Sequence, residues 1–335
     1  MKKVNLKEVA EKLGVSMMSV SRAINNKPGL NTKTREKILQ VVNEMGYVPN
    51  MLAGSLGRKE TKTIGVLIPV IENTNFPDML RGIESTLSKE GYRFILCCSY
   101  NDPIKERNEI ASLLEMQIDG LIWTPATLND SADIMNLIKG QSCPMIFMDR
   151  LIPGVEANSV VVDDFDGAYE AVRHLYDQGF KSVAHLSSDL EFWTSRERLR
   201  GFRAAMREFY PGQKEILLTG EASVAGGAKA MKELLKTEQL PEALFAFNDP
   251  MAIGAFQVLK SAGVRVPQEM GIVGFANILA GELMAVSLSS VDQNAEMIGA
   301  ESARLLLQQI TQEHNGATMR HLVQSRLVIR ESSQA

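Results

Sequence analysis

The 335-residue sequence predicts an N-terminal all-α helix-turn-helix head followed by an α/β body of parallel sheets. Three observations carry that prediction. The first sixty residues hold three short apolar-patterned segments, two of them joined by a glycine turn, and from Thr63 onward short apolar runs alternate with amphipathic stretches. Charge divides at the same place: residues 1–60 carry eleven Lys/Arg against five Asp/Glu, a balance of +6, and the rest carries twenty-five against thirty-five, a balance of −10. A basic head on an acidic body is the asymmetry expected where one end must approach phosphates.

The head comes first. Leu6–Leu13, Met17–Ile24 and residues 32–45 are helix-length, and Gly14-Val15-Ser16 sets the first two at helix-turn-helix spacing. Ser16 is the expected N-cap of the second helix, Asn31-Thr32 cap the third, and Val9, Ala10, Val20 and Ile24 fall where crossed helices touch. In the body, residues 64–68, 94–96, 120–123, 145–148, 160–162, 183–186, 216–218, 244–247 and 271–275 read as strands buried on both faces, which marks parallel sheets. Residues 78–89, 166–178, 198–209 and 251–262 read as covering helices, and 321–329 as a terminal strand-like segment. Parallel sheets bind ligands beyond the carboxyl ends of their strands. Here those ends are polar or turn-forming: Ser99, Thr124, Asp149-Arg150, Ser187-Ser188-Asp189, Asn248-Asp249 and Ala276-Asn277 among them.

Other function classes lose ground on composition. No run of 18 apolar residues and no signal-peptide apolar region follows Met1-Lys2-Lys3-Val4, so no membrane span and a cytoplasmic location are expected. Cys97 and Cys98 are adjacent and Cys143 stands alone, which gives neither a disulfide framework nor zinc spacing. His174, His185, His314 and His321 accompany no nucleophile elbow, phosphate-cradling loop or metal spacing, and Asp163, Asp164 and Asp166 suit a loop that caps a helix. No catalytic residue, metal or cofactor is expected.

The residues also carry a family resemblance. Asn5-Leu6-Lys7-Glu8-Val9-Ala10, Gly14-Val15-Ser16, Ser19-Val20-Ser21-Arg22, Thr34-Arg35, Met45-Gly46-Tyr47-Val48-Pro49-Asn50, Ala53 and Leu56 resemble the LacI/GalR family of bacterial transcription regulators, and the resemblance runs through the body. It implies a periplasmic-binding-protein-like body of two doubly wound parallel-sheet lobes with crossings near residues 161, 291 and 321. The expected division is a head at 1–48, a hinge at 49–60 and a body at 61–335. Lobe 1 takes 61–161 and 291–320, and lobe 2 takes 162–290 and 321–335. It also implies double-stranded operator DNA and a small sugar-like effector as partners, with a homodimer on a pseudo-palindrome.

Met17, Met18 and Arg22 occupy the groove-facing start of the recognition helix. Adjacent Met17 and Met18 cannot both face the core, so contact with thymine methyl groups is expected. Arg22 can pair with guanine or hold a phosphate. Ser16, Ser19, Ser21 and Thr34 read as caps and phosphate contacts, and Lys2, Lys3, Lys33, Arg35 and Arg58 as phosphate contacts. Tyr47, Asn50 and Ala53 complete the DNA-binding set, with Leu56 matching a side chain that wedges into a base step, although the glycines flanking it also suit a plain linker. For the effector, the resemblance implies Asn75, Phe76, Trp123, Asp149, Asp164, Trp193, Arg198, Asn248, Asn277 and Gln293, with Asp249 as a helix cap beside Asn248. Aromatic faces and paired donors and acceptors suit a polyhydroxylated ligand. Ala276-Asn277 stands where the family offers two acidic residues, which leaves room for a sugar acid, an oligosaccharide or another metabolite. A body that senses no ligand is the alternative regulator, and a solute-binding protein would need the export signal that is absent.

Overall fold

The structure is a computed structural model, and it describes residues 4–47, 60–72, 75–126, 132–237, 239–311 and 318–334. The chain forms two compact units, Met1–Thr61 and Lys62–Ala335. The hinge positions Asn50, Ala53 and Leu56 lie outside the described residues, as do Lys2, Lys3, Arg58 and His314.

The head is α1 (Leu6–Leu13), α2 (Met17–Ile24) and α3 (Thr32–Glu44). Each helix starts on a side-chain cap. Asn5 accepts from the Glu8 amide at 3.0 Å while the Glu8 carboxylate accepts from the Asn5 amide, Ser16 accepts from Ser19 at 3.1 Å, and Asn31 from Thr34 at 2.8 Å. Such caps contribute about 1 kcal/mol each. Gly14, at φ +64, ends α1 in the left-handed conformation that a Cβ resists. Val9, Ala10, Val20, Ala23, Ile38 and Val42 form the buried centre.

The body opens with β1 (Thr63–Ile68), α4 (Phe76–Leu87), β2 (Arg93–Cys98), α5 (Pro103–Glu115), β3 (Gly120–Trp123), α6 (Ala132–Gly140), β4 (Met145–Met148) and β5 (Asn158–Val162). Next come α7 (Asp164–Asp177), β6 (Val183–Ser187), α8 (Trp193–Phe209), β7 (Ile216–Thr219), α9 (Val224–Leu234), β8 (Ala243–Ala246), α10 (Asp249–Ser261) and β9 (Gly271–Phe275). The chain ends with α11 (Leu279–Glu282), β10 (Ser289–Asp292), α12 (Ala295–Ile310), β11 (Arg320–Val323) and β12 (Arg326–Val328).

Two six-stranded sheets result, ordered β11-β5-β4-β3-β1-β2 and β12-β10-β9-β8-β6-β7. All pairings are parallel except β10 with β12. Strand alternation sends Ile64, Val66 and Ile68 to one face of the first sheet, against Met79, Ile83, Ile298 and Leu306 from α4 and α12. Leu67, Leu121, Trp123 and Phe147 face the other way, against Ile110, Leu113, Ile134 and Ile138. The second sheet is likewise covered on both faces.

Several details differ from the sequence reading. β2 and β7 are half-buried rather than enclosed, because each is an edge strand with a neighbour on one side only. The terminal segment is two strands, not one: β11 pairs with β5 in the first sheet, and β12 with β10 in the second. The chain therefore leaves the first lobe after Val323, later than the expected 321, and its earlier crossings follow Val162 and Asp292.

Candidate ligand cleft and DNA-reading helix

Strand order reverses on either side of β1 and β3 in the first sheet and of β6 and β8 in the second. A doubly wound sheet opens a crevice at such a point, because the loops leaving the two strands turn to opposite faces. The residues that follow β1 (Pro69), β6 (Ser188, Asp189) and β8 (Phe247, Asn248) all line one cavity of about 750 Å³. Both lobes contribute to it, so it lies between them.

Of the residues singled out by sequence, Asn75, Phe76, Asp149, Arg198, Asn248 and Gln293 line this cleft. Asn75 and Phe76 sit at the start of α4, and the Asn75 amide donates to Gln293 on the crossover between β10 and α12. Arg198 is 4% exposed, donates from Nε to Asp164 at 2.7 Å and from Nη1 to the Phe247 carbonyl at 2.6 Å, and lies 3.7 Å over the Phe275 ring. Burial raises the Asp164 carboxyl to about 7 despite the Arg198 guanidinium that favours its charge. Asp164 thus acts behind Arg198 rather than on the cleft wall.

Three other positions are also displaced. Trp123 is fully buried under β3 and donates its indole N–H to Glu106 at 2.9 Å, so it belongs to the core and not to the cleft. Trp193 opens α8 and its ring packs 5.1 Å from the Arg320 guanidinium, an inter-lobe contact beside the cleft. Asn277 is not among the lining residues: its backbone N–H donates to the Ser290 hydroxyl at 3.0 Å, and Ala276 takes the lining position. The cap assignment is reversed as well. Asn248 accepts from the Met251 amide at 3.0 Å as the cap of α10, and buried Asp249 accepts instead from Ser290 at 2.6 Å and the Ile278 amide at 2.8 Å.

Arg150 and Phe192 are cleft residues that sequence reasoning did not single out. Arg150 donates to Asn101 at 2.8 Å and to the Pro125 carbonyl at 3.2 Å, and its guanidinium lies 4.5 Å from the Phe192 ring, first lobe against second. Its Nε is 3.9 Å from Asp149, a residue held at φ +66. Burial pushes the Asp149 carboxyl up, and the Arg150 and Arg198 guanidiniums oppose the push; burial pulls Arg150 down, and Asp149 opposes that. The signal available was the position of Arg150, directly past a strand end. Beneath it, Glu106 accepts from Trp123 and from the Ala126 amide at 2.6 Å, pinning the loop that holds Arg150. Among the described residues no group of His, Cys, Asp and Glu is arranged to hold a metal ion.

On the head, Met17 and Met18 are 52% and 65% exposed at the open end of α2, and Arg22 is exposed one turn later. Ser16 is committed as a cap and its hydroxyl lies 3.0 Å from that of Ser19, while Ser21 and Thr34 are half-buried. Tyr47 packs against the head core. Arg35 donates to the Asn26 side chain and, at 2.6 Å, to the Lys27 carbonyl, so its guanidinium clamps the turn between α2 and α3.

Comparison with known proteins bears on both units. The profile of bacterial regulatory proteins of the lacI family matches residues 5–50, and that of periplasmic binding proteins and the sugar-binding domain of the LacI family matches residues 61–331. The chain belongs to the LacI family. As a LacI-family member it is a DNA-binding transcriptional regulator with a periplasmic-binding-protein-like body. Its relatives include the HTH-type transcriptional repressor PurR of Haemophilus influenzae (strain PittEE), 33% identical over 333 residues that cover 98% of each chain. Among solved structures, the Lac repressor dimer bound to operator and the anti-inducer ONPF is 25% identical with a TM-score of 0.88, covering all of both chains. A LacI-family regulator from Enterococcus faecium with bound ribose is 31% identical with a TM-score of 0.73, covering 81% of this chain and 98% of that one. In this LacI-family chain no helix among the described residues is long and apolar enough to cross a membrane.

Proposed function

We propose that the protein is a cytoplasmic repressor that binds a pseudo-palindromic operator as a homodimer, under the control of a neutral, polyhydroxylated ligand, a sugar or sugar derivative, held between its lobes. The observation that carries the ligand class is the charge balance of the cleft. Arg198 donates to Asp164 at 2.7 Å and the Arg150 Nε lies 3.9 Å from Asp149, so each guanidinium already has a carboxyl group of the protein beside it. The amides of Asn75, Asn248 and Gln293 offer donors and acceptors together, as a hydroxyl requires, and Phe76 and Phe192 offer apolar faces for ring carbons. That balance favours a neutral sugar over a sugar acid. The neighbours with operator and with ribose support the same two partners.

A ligand touching both lobes favours one lobe arrangement over others by the difference in its affinity for them, and that difference is what transcriptional control requires. The test is thermal unfolding of the full chain against neutral sugars, sugar acids, sugar phosphates and nucleobases, followed by operator binding with any compound that acts. A ligand at a hundred times its dissociation constant adds about 2.7 kcal/mol of stability. The expected result is a neutral sugar that raises the transition and changes operator affinity. A shift by nucleobases or sugar acids alone would overturn the ligand class, and a stabilising sugar without effect on operator affinity would overturn the control.

A further inference from the structure

Met17 and Met18 are the first two residues of α2, directly after the Ser16 cap, and both side chains stand in solvent. Met18, at 65%, is the most exposed of the described methionines, and Met17, at 52%, is equalled only by Met116 just past the end of α5. Neither packs against the core of the head, as Met45 does, so the fold of the head does not depend on their chemistry. An accessible thioether is open to oxidation to the sulfoxide, which turns an apolar side chain into a polar one.

We infer that Met17-Met18 is a reversible oxidation site through which a peroxide-class oxidant weakens operator binding. The inference rests on the reading of these two methionines as groove-facing residues and deepens it. In the step itself the lone pair of the thioether sulfur attacks one peroxide oxygen. The S–O bond forms as the O–O bond breaks, and the second oxygen leaves with both hydrogens as water. Sulfur gives up two electrons, and the peroxide is reduced by the same two. The product sets a hydrogen-bond-accepting oxygen where an apolar side chain would meet a thymine methyl group, and an acceptor buried there without a donor opposes binding. Two such sites in each head and two heads on the operator compound the effect. The thiols are poor competitors, because it is the thiolate that reacts. Burial pushes Cys97 and Cys143 up to about 12 and raises Cys98 as well, which holds them as thiols. Met79, Met148, Met231 and Met270 are enclosed in the cores of the body, out of reach of the oxidant.

The experiment is graded hydrogen peroxide treatment of the full-length protein, free and operator-bound, followed by operator titration and by mass spectrometry of the tryptic peptide Leu13–Arg22. The expected result is oxygen added to that peptide in the free protein, more slowly when operator is bound, with operator affinity lowered about tenfold or more and the thermal unfolding of the head unchanged. Methionine sulfoxide reductases A and B restore the affinity, and dithiothreitol alone does not. In Met17→Leu/Met18→Leu, whatever its starting affinity, the same treatment leaves operator binding where it was. A peptide that stays unmodified, or one fully oxidised with affinity unchanged, overturns the switch, and slower modification under bound operator in the second case leaves the groove-facing reading standing. Equal rates of modification with and without operator overturn that reading, and the switch with it. A loss of affinity that persists in the double variant, that dithiothreitol reverses, or that comes with a less stable head puts the sensitive group elsewhere and overturns the assignment to Met17-Met18.

Discussion

At single residues, the cleft is governed by groups that lie behind it. Glu106 is 4% exposed, and burial raises its carboxyl to about 7 although Trp123 and Ala126 both donate to it. An unfolded glutamate titrates near about 4.3, so between that value and about 7 the folded protein keeps a proton that the unfolded chain has released. The stability owed to this site is fully present below the lower value and is lost as pH rises through the higher one. Glu106→Gln is neutral at every pH, so its Tm relative to the parent should climb as pH goes from 5 to 8; a pH-independent difference would contradict the assignment. Subtracting the parent curve cancels His185, whose burial pulls it down to about 4 and gives the opposite slope. At the other end of the molecule, Met17 and Met18 present apolar side chains to solvent at the start of the recognition helix. We expect these two side chains to meet operator thymines, so replacing those with uracil, which removes only methyl groups, should weaken binding several-fold; unchanged affinity would leave Arg22 as the reader there. Arg198 and Asn75 were reached through the family resemblance, because a polar residue within or just before a helix looks in sequence like any cap or surface group. Trp123 misled because an aromatic at a strand end serves a core or a ligand equally well, and only its depth and its Glu106 partner decide.

Elements were legible where the physics is local. The caps at Ser16 and Asn31 and the glycine at 14 act within one turn, and α2 and α3 begin at the residues those signals mark. β10 escaped notice because Ser289-Ser290-Val291-Asp292 has no apolar run; its serines are buried and satisfied by Asp249, Ser332 and Arg330 from distant parts of the chain. The split of residues 321–329 between two sheets was hidden for a similar reason, since pairing partners near 160 and 291 decide it. Helix pairing also depends on residues that look unremarkable in sequence. α4 and α12 approach until a Cβ on Gly299 would stand 1.8 Å from the Met79 carbonyl oxygen, and one on Gly82 2.0 Å from that of Glu296. Gly299→Ala would gain helix propensity of about 1 kcal/mol, yet it must push the backbones apart, and overpacking costs about 1–3 kcal/mol or more. The second term wins because the obstacle is backbone and cannot rotate aside. Urea unfolding of Gly299→Ala should show a lower midpoint than the parent, and an equal or higher midpoint would mean that the two helices can slide.

Over the whole chain, charge is distributed by role, +6 on residues 1–60 and −10 on the rest. The division was visible from composition, whereas the use of each basic residue was not, because a guanidinium that binds phosphate and one that clamps a turn look the same in sequence. Lys33 is exposed at the start of α3, and Arg35, two residues on, is tied to Asn26 and to the Lys27 carbonyl. Operator binding by a dimer that neutralises several phosphates per head should fall by about a thousandfold or more between 50 and 200 mM salt. The two substitutions should then separate in kind. Lys33→Ala removes one phosphate contact from each of two heads, which reduces the slope of log affinity against log salt by about 2 and leaves the head's unfolding unchanged. Arg35→Ala leaves that slope nearly intact, since the guanidinium is spent on the protein itself, but it frees the turn that sets α2 against α3 and lowers affinity at every salt concentration together with the thermal stability of the head. A full slope change from Arg35→Ala, with an unaltered head, would return that residue to the phosphates and show that its contacts to the turn give way when DNA is bound.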